Sequence, residues 1–205
     1  MGAQDLRSGW RMAVLFGVFA LGAYVQAQGL LPSILKHSSD ILYLVRQQVR
    51  LVATSAAIAI VLGVAIGIRL TRDRYARYAD IVLPIVNLGA TIPTLAKLAI
   101  ATAILGIGAP AAIFGLAVLT LLPIVSNTIS GLKAVPAPLI EAARGMGMKP
   151  RQILWQVELP NALFVILAGV RTALVINVGT APLAFPIGGG GLGEPIFTGI
   201  DLMEP

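Results

Sequence analysis

Residues Ala137 to Pro160 read APLIEAARGMGMKPRQILWQVELP, the longest soluble-looking stretch between strongly apolar runs. Pro138 sits where the first turn of a helix tolerates a missing N–H, and Gly147 sits where a short helix can stop. Pro150 can then start a second short helix through Arg151, Ile153, Leu154 and Trp155. Glu141 is expected near the N-terminus of the first helix, where a negative charge suits the dipole. Ala142 and Ala143 add almost no bulk, so that helix can lie close against another surface. The stretch predicts a helix–Gly–helix finger held outside a membrane between two spans.

Composition places the rest of the chain in a bilayer. Of its 205 residues, 57% are hydrophobic and 12% charged, where soluble domains run at roughly 45–50% and about 25%. The mean hydropathy of +0.88 points the same way. The length suffices for five or six spans of about 20 residues and little else, so no separate soluble domain fits. The formal charge of +6 does not indicate nucleic acid. Its basic residues form short clusters between apolar runs, as they do when Lys and Arg set topology. With no cysteine, disulfides and cysteine-ligated metal are excluded.

Five spans are expected in an all-α, polytopic membrane protein. Residues 1–50 are read as an N-terminal span (12–31), an outer loop and an interfacial segment, and residues 51–205 as the transmembrane domain. The first span is either retained or is a secretory signal peptide with Val25-Gln26-Ala27 as cleavage site. Ile41 to Arg50, with Arg46 and Arg50 on one helical face, either lies along the interface or extends the next helix. Leu51 to Ile68 is the second span, with Gly63 and Gly67 spaced for close helix approach. Arg69, Arg72, Arg74 and Arg77 mark a cytoplasmic loop. Ile81 to Ile107 is a long span that Pro84 and Pro93 should kink or break. Carbonyls freed there are tolerated only against protein or a water-lined cavity, so Thr91, Pro93 and Thr94 are pathway candidates beside a packing kink. Gly106 to Pro110 is read as a tight outer turn, and Ala111 to Ile129 crosses back. Lys133, Arg144, Lys149 and Arg151 put the finger in the cytoplasm, and Ala162 to Ile187 returns outward to a glycine run and a polar tail.

Enzyme readings find no support. There is no G-x-x-x-x-G-K-[ST] phosphate loop, so ATP hydrolysis is not expected on this chain. Gly188 to Gly193 formally satisfies G-x-G-x-x-G, but follows a membrane span where a dinucleotide site follows a strand. His37 stands alone in an outer loop, no metal site is expected, and all nine acidic residues fall at span ends or in loops. Lys97 and Arg171 are the two charges within spans. A charge at mid-bilayer costs roughly 2.5–3.5 kcal/mol on insertion scales, so each should face a cavity or the protein interior. Lys97 lies close enough to the outer face to snorkel. Arg171 does not, standing about 15 Å beyond Pro160 along a straight helix. Asn87 and Asn177 are polar amides placed within spans. Phe114, Phe164 and Phe185 are the only contributors in view for an aromatic cage around a quaternary ammonium.

Glu141-Ala142-Ala143, Gly147 and Leu159-Pro160 fall at the spacing of the EAA loop, and in this the chain resembles the permeases of ATP-binding-cassette (ABC) importers. Val157 stands where that motif has isoleucine. Thr91 to Leu95 (TIPTL), Glu141 to Gly147 (EAARGMG), Gly169 to Leu174 (GVRTAL) and Gly188 to Gly193 (GGGGLG) resemble its osmoprotectant branch, for glycine betaine, choline and carnitine. The resemblance covers about Val49 to Leu202 and implies a type I ABC importer permease fold in the bacterial cytoplasmic membrane, with N-terminus and EAA loop inside. It implies that Glu141, Ala142, Ala143, Arg144, Gly145, Gly147, Leu159 and Pro160 couple to two ATP-binding subunits, which carry the ATP and Mg. It further implies a second permease chain, identical or homologous, and an extracytoplasmic substrate-binding protein. Gly188, Gly189, Gly190, Gly191 and Gly193 then become a flexible hinge or a docking loop for that protein. Lys97, Arg171 and Asn177 join the pathway candidates. Arg171 either meets a substrate carboxylate or packs as a structural arginine against carbonyls of the Pro-broken span. Family members continue into one more span where this sequence reaches Pro205, which reads as a truncated form, a fragment or a variant. The alternatives are a permease of the same machine for methionine or another amino acid, and an ion-coupled carrier or channel. The carrier expects acidic or polar coupling residues inside spans, which are few here.

Overall fold

The computed structural model describes residues 38–72 and 91–202, together with residues 17, 19, 20, 22, 24, 74, 75, 78, 81, 84 and 89. Helices are the only regular structure among them, as the all-α reading requires. The chain divides into two units, Met1–Tyr43 and Leu44–Pro205. In the first, residues 17, 19, 20, 22 and 24 of the expected span 12–31 are helical; the rest of that span, the signal-peptide alternative and His37 lie outside the described residues.

Helix α1 (Ser38–Leu70) runs 33 residues without a break, with Asp40 in its first turn and Arg69 in its last, complementing the dipole at both ends. The stretch 41–50 is therefore an extension of the span and not a separate interfacial piece. Pro93 breaks the next span as expected. Its backbone is extended (φ −54°, ψ 141°), and α2 (Thr94–Leu105) starts directly after it. Twelve residues reach only about 18 Å, too short to cross alone. Helix α3 (Ala109–Lys133) follows a turn whose Gly106 and Gly108 both have positive φ. Helix α4 (Ala137–Gly145) forms the first half of the finger. Helix α5 (Pro150–Ile153) continues through one π turn (Leu154–Glu158) into α6 (Leu159–Thr180) and a 3-10 segment (Ala181–Ile187). The finger's second helix is thus the start of the following span. Residues read as a polar tail instead contain a short helix, α7 (Gly193–Asp201). Three helical runs among the described residues are long and apolar enough to cross a membrane: Ser38–Leu70, Ala109–Lys133 and Pro150–Ile187.

Helix α3 is the axis of the second unit. Its Ile124 packs with Ala59 of α1 and Ala173 of α6, and its Leu116 with Leu51 and Ala181. Close approach is achieved by removing side chains. A Cβ on Gly63 would lie 2.8 Å from the Ile124 side chain, one on Gly67 2.6 Å from Thr128, and one on Gly169 2.5 Å from Asn127. The Gly63/Gly67 pair is therefore used within the chain, against α3. Buried hydroxyls are satisfied by their own helices: Ser55, Thr120 and Thr128 donate to the carbonyls of Leu51, Leu116 and Ile124 at 2.7–2.8 Å.

This packing predicts a contrast between two glycines of α6. Gly169→Ala forces α3 and α6 apart and should destabilise by about 1–3 kcal/mol. Gly179, with nothing within 4 Å of an added Cβ, should tolerate alanine or gain slightly from its helix propensity. Thermal melts of the two detergent-purified variants check this; equal midpoints would refute the α3–α6 contact.

Candidate functional site

The finger is built by local signals. Pro136 caps α4 in an extended conformation, and Pro138 falls in its first turn, where no N–H is needed. Gly147 ends it with φ +77°. The Gly147 N–H donates to the Arg144 carbonyl (2.9 Å) and the Met148 N–H to that of Ala143 (3.2 Å). This is the Schellman pairing, which places glycine at the left-handed position. Gln152 accepts the Lys149 N–H at 2.8 Å and fixes the start of α5. Glu141 is the fifth residue of α4, in the second turn of a nine-residue helix.

Leu159-Pro160 marks where the helix widens. A proline inside a helix lacks the N–H and presses its ring on the carbonyl four residues back. The π turn Leu154–Glu158 precedes it, the Leu159 N–H reaches the Leu154 carbonyl, and the Asn161 side chain donates to the Val157 carbonyl at 2.7 Å. The wider turn and the amide side chain together accommodate Pro160.

At the finger's base, Ile140, Leu154 and Leu159 pack with Leu132, Val135, Ala162 and Ile166, joined by Val64 and Ile68 of α1. Arg72 crosses to Glu158 in an ion pair of 2.6 Å, the two residues being 86 positions apart. A cleft of about 500 Å³ opens beside it, lined by Thr71, Arg74, Arg144 and Met148 among others. Ala143 is buried toward the base, while Glu141, Ala142, Arg144, Gly145 and Gly147 are exposed. Leu139 and Met146 are exposed as well, giving the finger an apolar tip.

The pathway candidates are dispersed. Thr91 and Pro93 are exposed at the break before α2, and Thr94 is half-buried. Lys97 lines an apolar groove of about 210 Å³ between α2 and α3 with Ile92, Ile100, Phe114, Val118 and Leu122. Arg171 is exposed on α6 in an open groove of about 520 Å³ formed with Phe164, Leu167, Thr172, Val175 and Ile176. The part of the Pro-broken span before Thr91, whose carbonyls the structural reading invoked, lies largely outside the described residues. Asn177 is fully buried, donating to the Ser55 hydroxyl at 2.8 Å, and lines no open space; its side-chain oxygen has no partner among the described residues. Phe114, Phe164 and Phe185 do not converge. The first two line different grooves and Phe185 stacks on Phe197 at 5.9 Å.

The glycine run, read from sequence as a flexible hinge or a docking loop, forms a packed turn. The Gln47 side chain accepts the Gly191 N–H at 2.9 Å, and that of Gln48 accepts the Leu192 N–H at 3.2 Å. A Cβ on Gly193 would overlap the Pro182 carbonyl, and one on Gly190 would lie 2.6 Å from Gln47. Gly189, Gly191 and Gly193 are buried, Gly190 is half-buried and Gly188 is exposed. The run follows a 3-10 segment and not a strand, so the dinucleotide context is absent. Sequence reading missed Gln47 and Gln48, which sit between Arg46 and Arg50 and so look like part of a solvated polar patch. It also missed the Arg72–Glu158 pair.

Comparison with known proteins agrees with this architecture. An osmoprotectant import permease protein of Salmonella typhimurium (strain LT2) is 52% identical over 165 residues, 80% of this chain and 70% of that one. A carnitine transport permease protein of Listeria monocytogenes is 43% identical over 151 residues, 72% and 68% of the two chains. A choline transport system permease protein of Bacillus subtilis is 37% identical over 169 residues, 82% and 77%. Among solved structures, the MetNI methionine ABC transporter in an inward-facing conformation matches with a TM-score of 0.66 at 30% identity. The match covers 75% of this chain and 77% of that one. The helices thus carry the fold of type I ABC importer permeases. Residues 59–203 match the binding-protein-dependent transport system inner membrane component, and the chain belongs to that family.

Proposed function

We propose that this chain lines the translocation pathway of an ABC importer for osmoprotectants of the glycine betaine, choline and carnitine type. The observation that carries the substrate class is the 52% identity to an osmoprotectant import permease, with carnitine and choline permeases next to it. Two ATP-binding subunits, holding ATP and Mg, engage the fingers of two permease chains, and an extracytoplasmic binding protein delivers substrate. The N-terminus and the finger lie in the cytoplasm, in keeping with the basic loops at Arg69 to Arg77 and Lys133 to Arg151.

The finger's shape supports coupling through Glu141, Ala142, Ala143, Arg144, Gly145, Gly147, Leu159 and Pro160. Its tip is exposed and apolar at Leu139 and Met146, its bulk is low at Ala142, and its base is locked into the spans. A knob transmits force only if it is stiffer than the joint it pushes, and the Schellman turn and the packed base supply that stiffness. Arg171 is the side chain proposed to meet a substrate carboxylate, being a cation on an open face of a span. Thr91, Pro93, Thr94 and Lys97 are proposed at the pathway's edge, and the exposed Gly188 is the best placed of the glycines for binding-protein contact.

In cells lacking other importers, labelled glycine betaine should be taken up and should not be displaced by methionine. Methionine uptake without betaine uptake would replace this reading with the amino-acid alternative favoured by the methionine-transporter fold match. Glu141→Lys and Gly147→Asp should each abolish uptake with the permease still inserted. The first reverses the charge at position 141, and the second forces a side chain into a left-handed position at roughly 1–2 kcal/mol. Normal transport by either variant would refute the coupling role. Arg171→Ala should reduce uptake of betaine about tenfold or more, and of choline, which has no carboxylate, far less, with ATPase subunits still bound. Equal loss for both substrates would refute the carboxylate contact.

A further inference from the structure

The finger is covalently continuous with α3 and α6, so a push on it moves those two helices directly. Helix α1 has no such link. In sequence, residues 71–93 separate its end from α2. Two contacts tie its end to the finger: Val64 and Ile68 in the cluster that holds Ile140 and Leu154, and the Arg72–Glu158 ion pair.

The ion pair is well placed for the task. Glu158 is buried and sits on the π turn, where the finger becomes the span. Arg72 is held by its own helix end, its Nε donating to the Ile68 carbonyl (3.4 Å) and its Nη2 to the Thr71 hydroxyl (3.2 Å). The Glu158 side chain is 12% exposed and that of Arg72 33%, so water reaches the pair from one side only and it separates less readily than a fully exposed pair. A π turn inside an α-helix is also the place where a span can change its winding. The pair spans that joint from the outside.

We infer that Arg72 and Glu158 are positioning residues that make the end of α1 travel with the finger, so that ATP-driven motion reaches α1 as well as α3 and α6. The inference rests on the coupling role proposed for the finger. It predicts a loss of coupling and not of assembly.

The test uses the complete importer in proteoliposomes, with substrate transported and ATP hydrolysed measured together. Arg72→Met and Glu158→Gln should keep ATPase subunits bound and hydrolysis active, while substrate moved per ATP falls about fivefold or more. The exchange Arg72→Glu with Glu158→Arg should restore the ratio to near wild type. Because the chain has no native cysteine, spin labels at Arg74→Cys and Met146→Cys report the distance from the end of α1 to the finger tip. It should stay constant between nucleotide-free and vanadate-trapped states, and broaden in Arg72→Met. An unchanged ratio in assembled Arg72→Met, a charge exchange that assembles but does not recover, or a distance that changes in the wild type would each overturn the proposal. Failure of the wild-type permease to retain ATPase subunits would instead overturn the finger's coupling role.

Discussion

The contact between the backbones of α3 and α6 governs how the rest of the second unit is built. At Gly169 and Gly131 there is no room for a side chain between the two helices, and the gap they leave sets the width that the finger must bridge. In a bilayer, apolar side chains gain little by leaving lipid for protein, so helices associate through close van der Waals contact and satisfied polar groups. This chain uses both. Glycines bring α1 and α6 against α3, and the Asn177–Ser55 hydrogen bond joins α6 to α1. Hydroxyls that would otherwise be unpaired in an apolar setting fold back onto their own helices.

The second determinant is Pro160. Placed after the start of a long helix, it would break an ordinary α-helix, yet the chain runs on through a π turn and an asparagine side chain that takes up a loose carbonyl. One residue of extra winding shifts the angular phase between the finger and the span by about 100°. Leu154 on one side of the π turn and Ala162 and Ile166 on the other meet in one cluster at the finger's base, and Glu158 comes to rest against Arg72. A motif that looks like a helix stop in the sequence is a joint in the structure.

The parts of the fold that were legible in the sequence are those with local causes. Pro138, Gly147 and Pro150 announce a helix, a left-handed turn and another helix start. Pro93 announces a break, and the long apolar runs announce spans. What escaped was long-range. Arg72 looks like one of several topology-setting arginines, and nothing near it in sequence names Glu158 as its partner. Asn177 reads as a polar residue available to a pathway until Ser55, on a helix more than a hundred residues earlier, takes its amide. The glycines from Gly188 to Gly193 suggest looseness because glycine permits many conformations. Here the missing Cβ serves contact with Gln47, Gln48 and the Pro182 carbonyl, and the result is the opposite of loose. The broad-purpose Phe residues failed to meet for the same reason: spacing along one helix says little about what stands across from it.

Those two glutamines also distinguish one extremity of α1 from the other. Near its beginning, α1 is clasped by uncharged amides gripping peptide N–H groups; past its far end, by a guanidinium gripping a carboxylate. Dissolved ions reach a part-buried pair far less than an exposed one, so neither bond is loosened much by salt. The helix is accordingly fastened like a door on two hinges of different chemistry, one neutral and one charged.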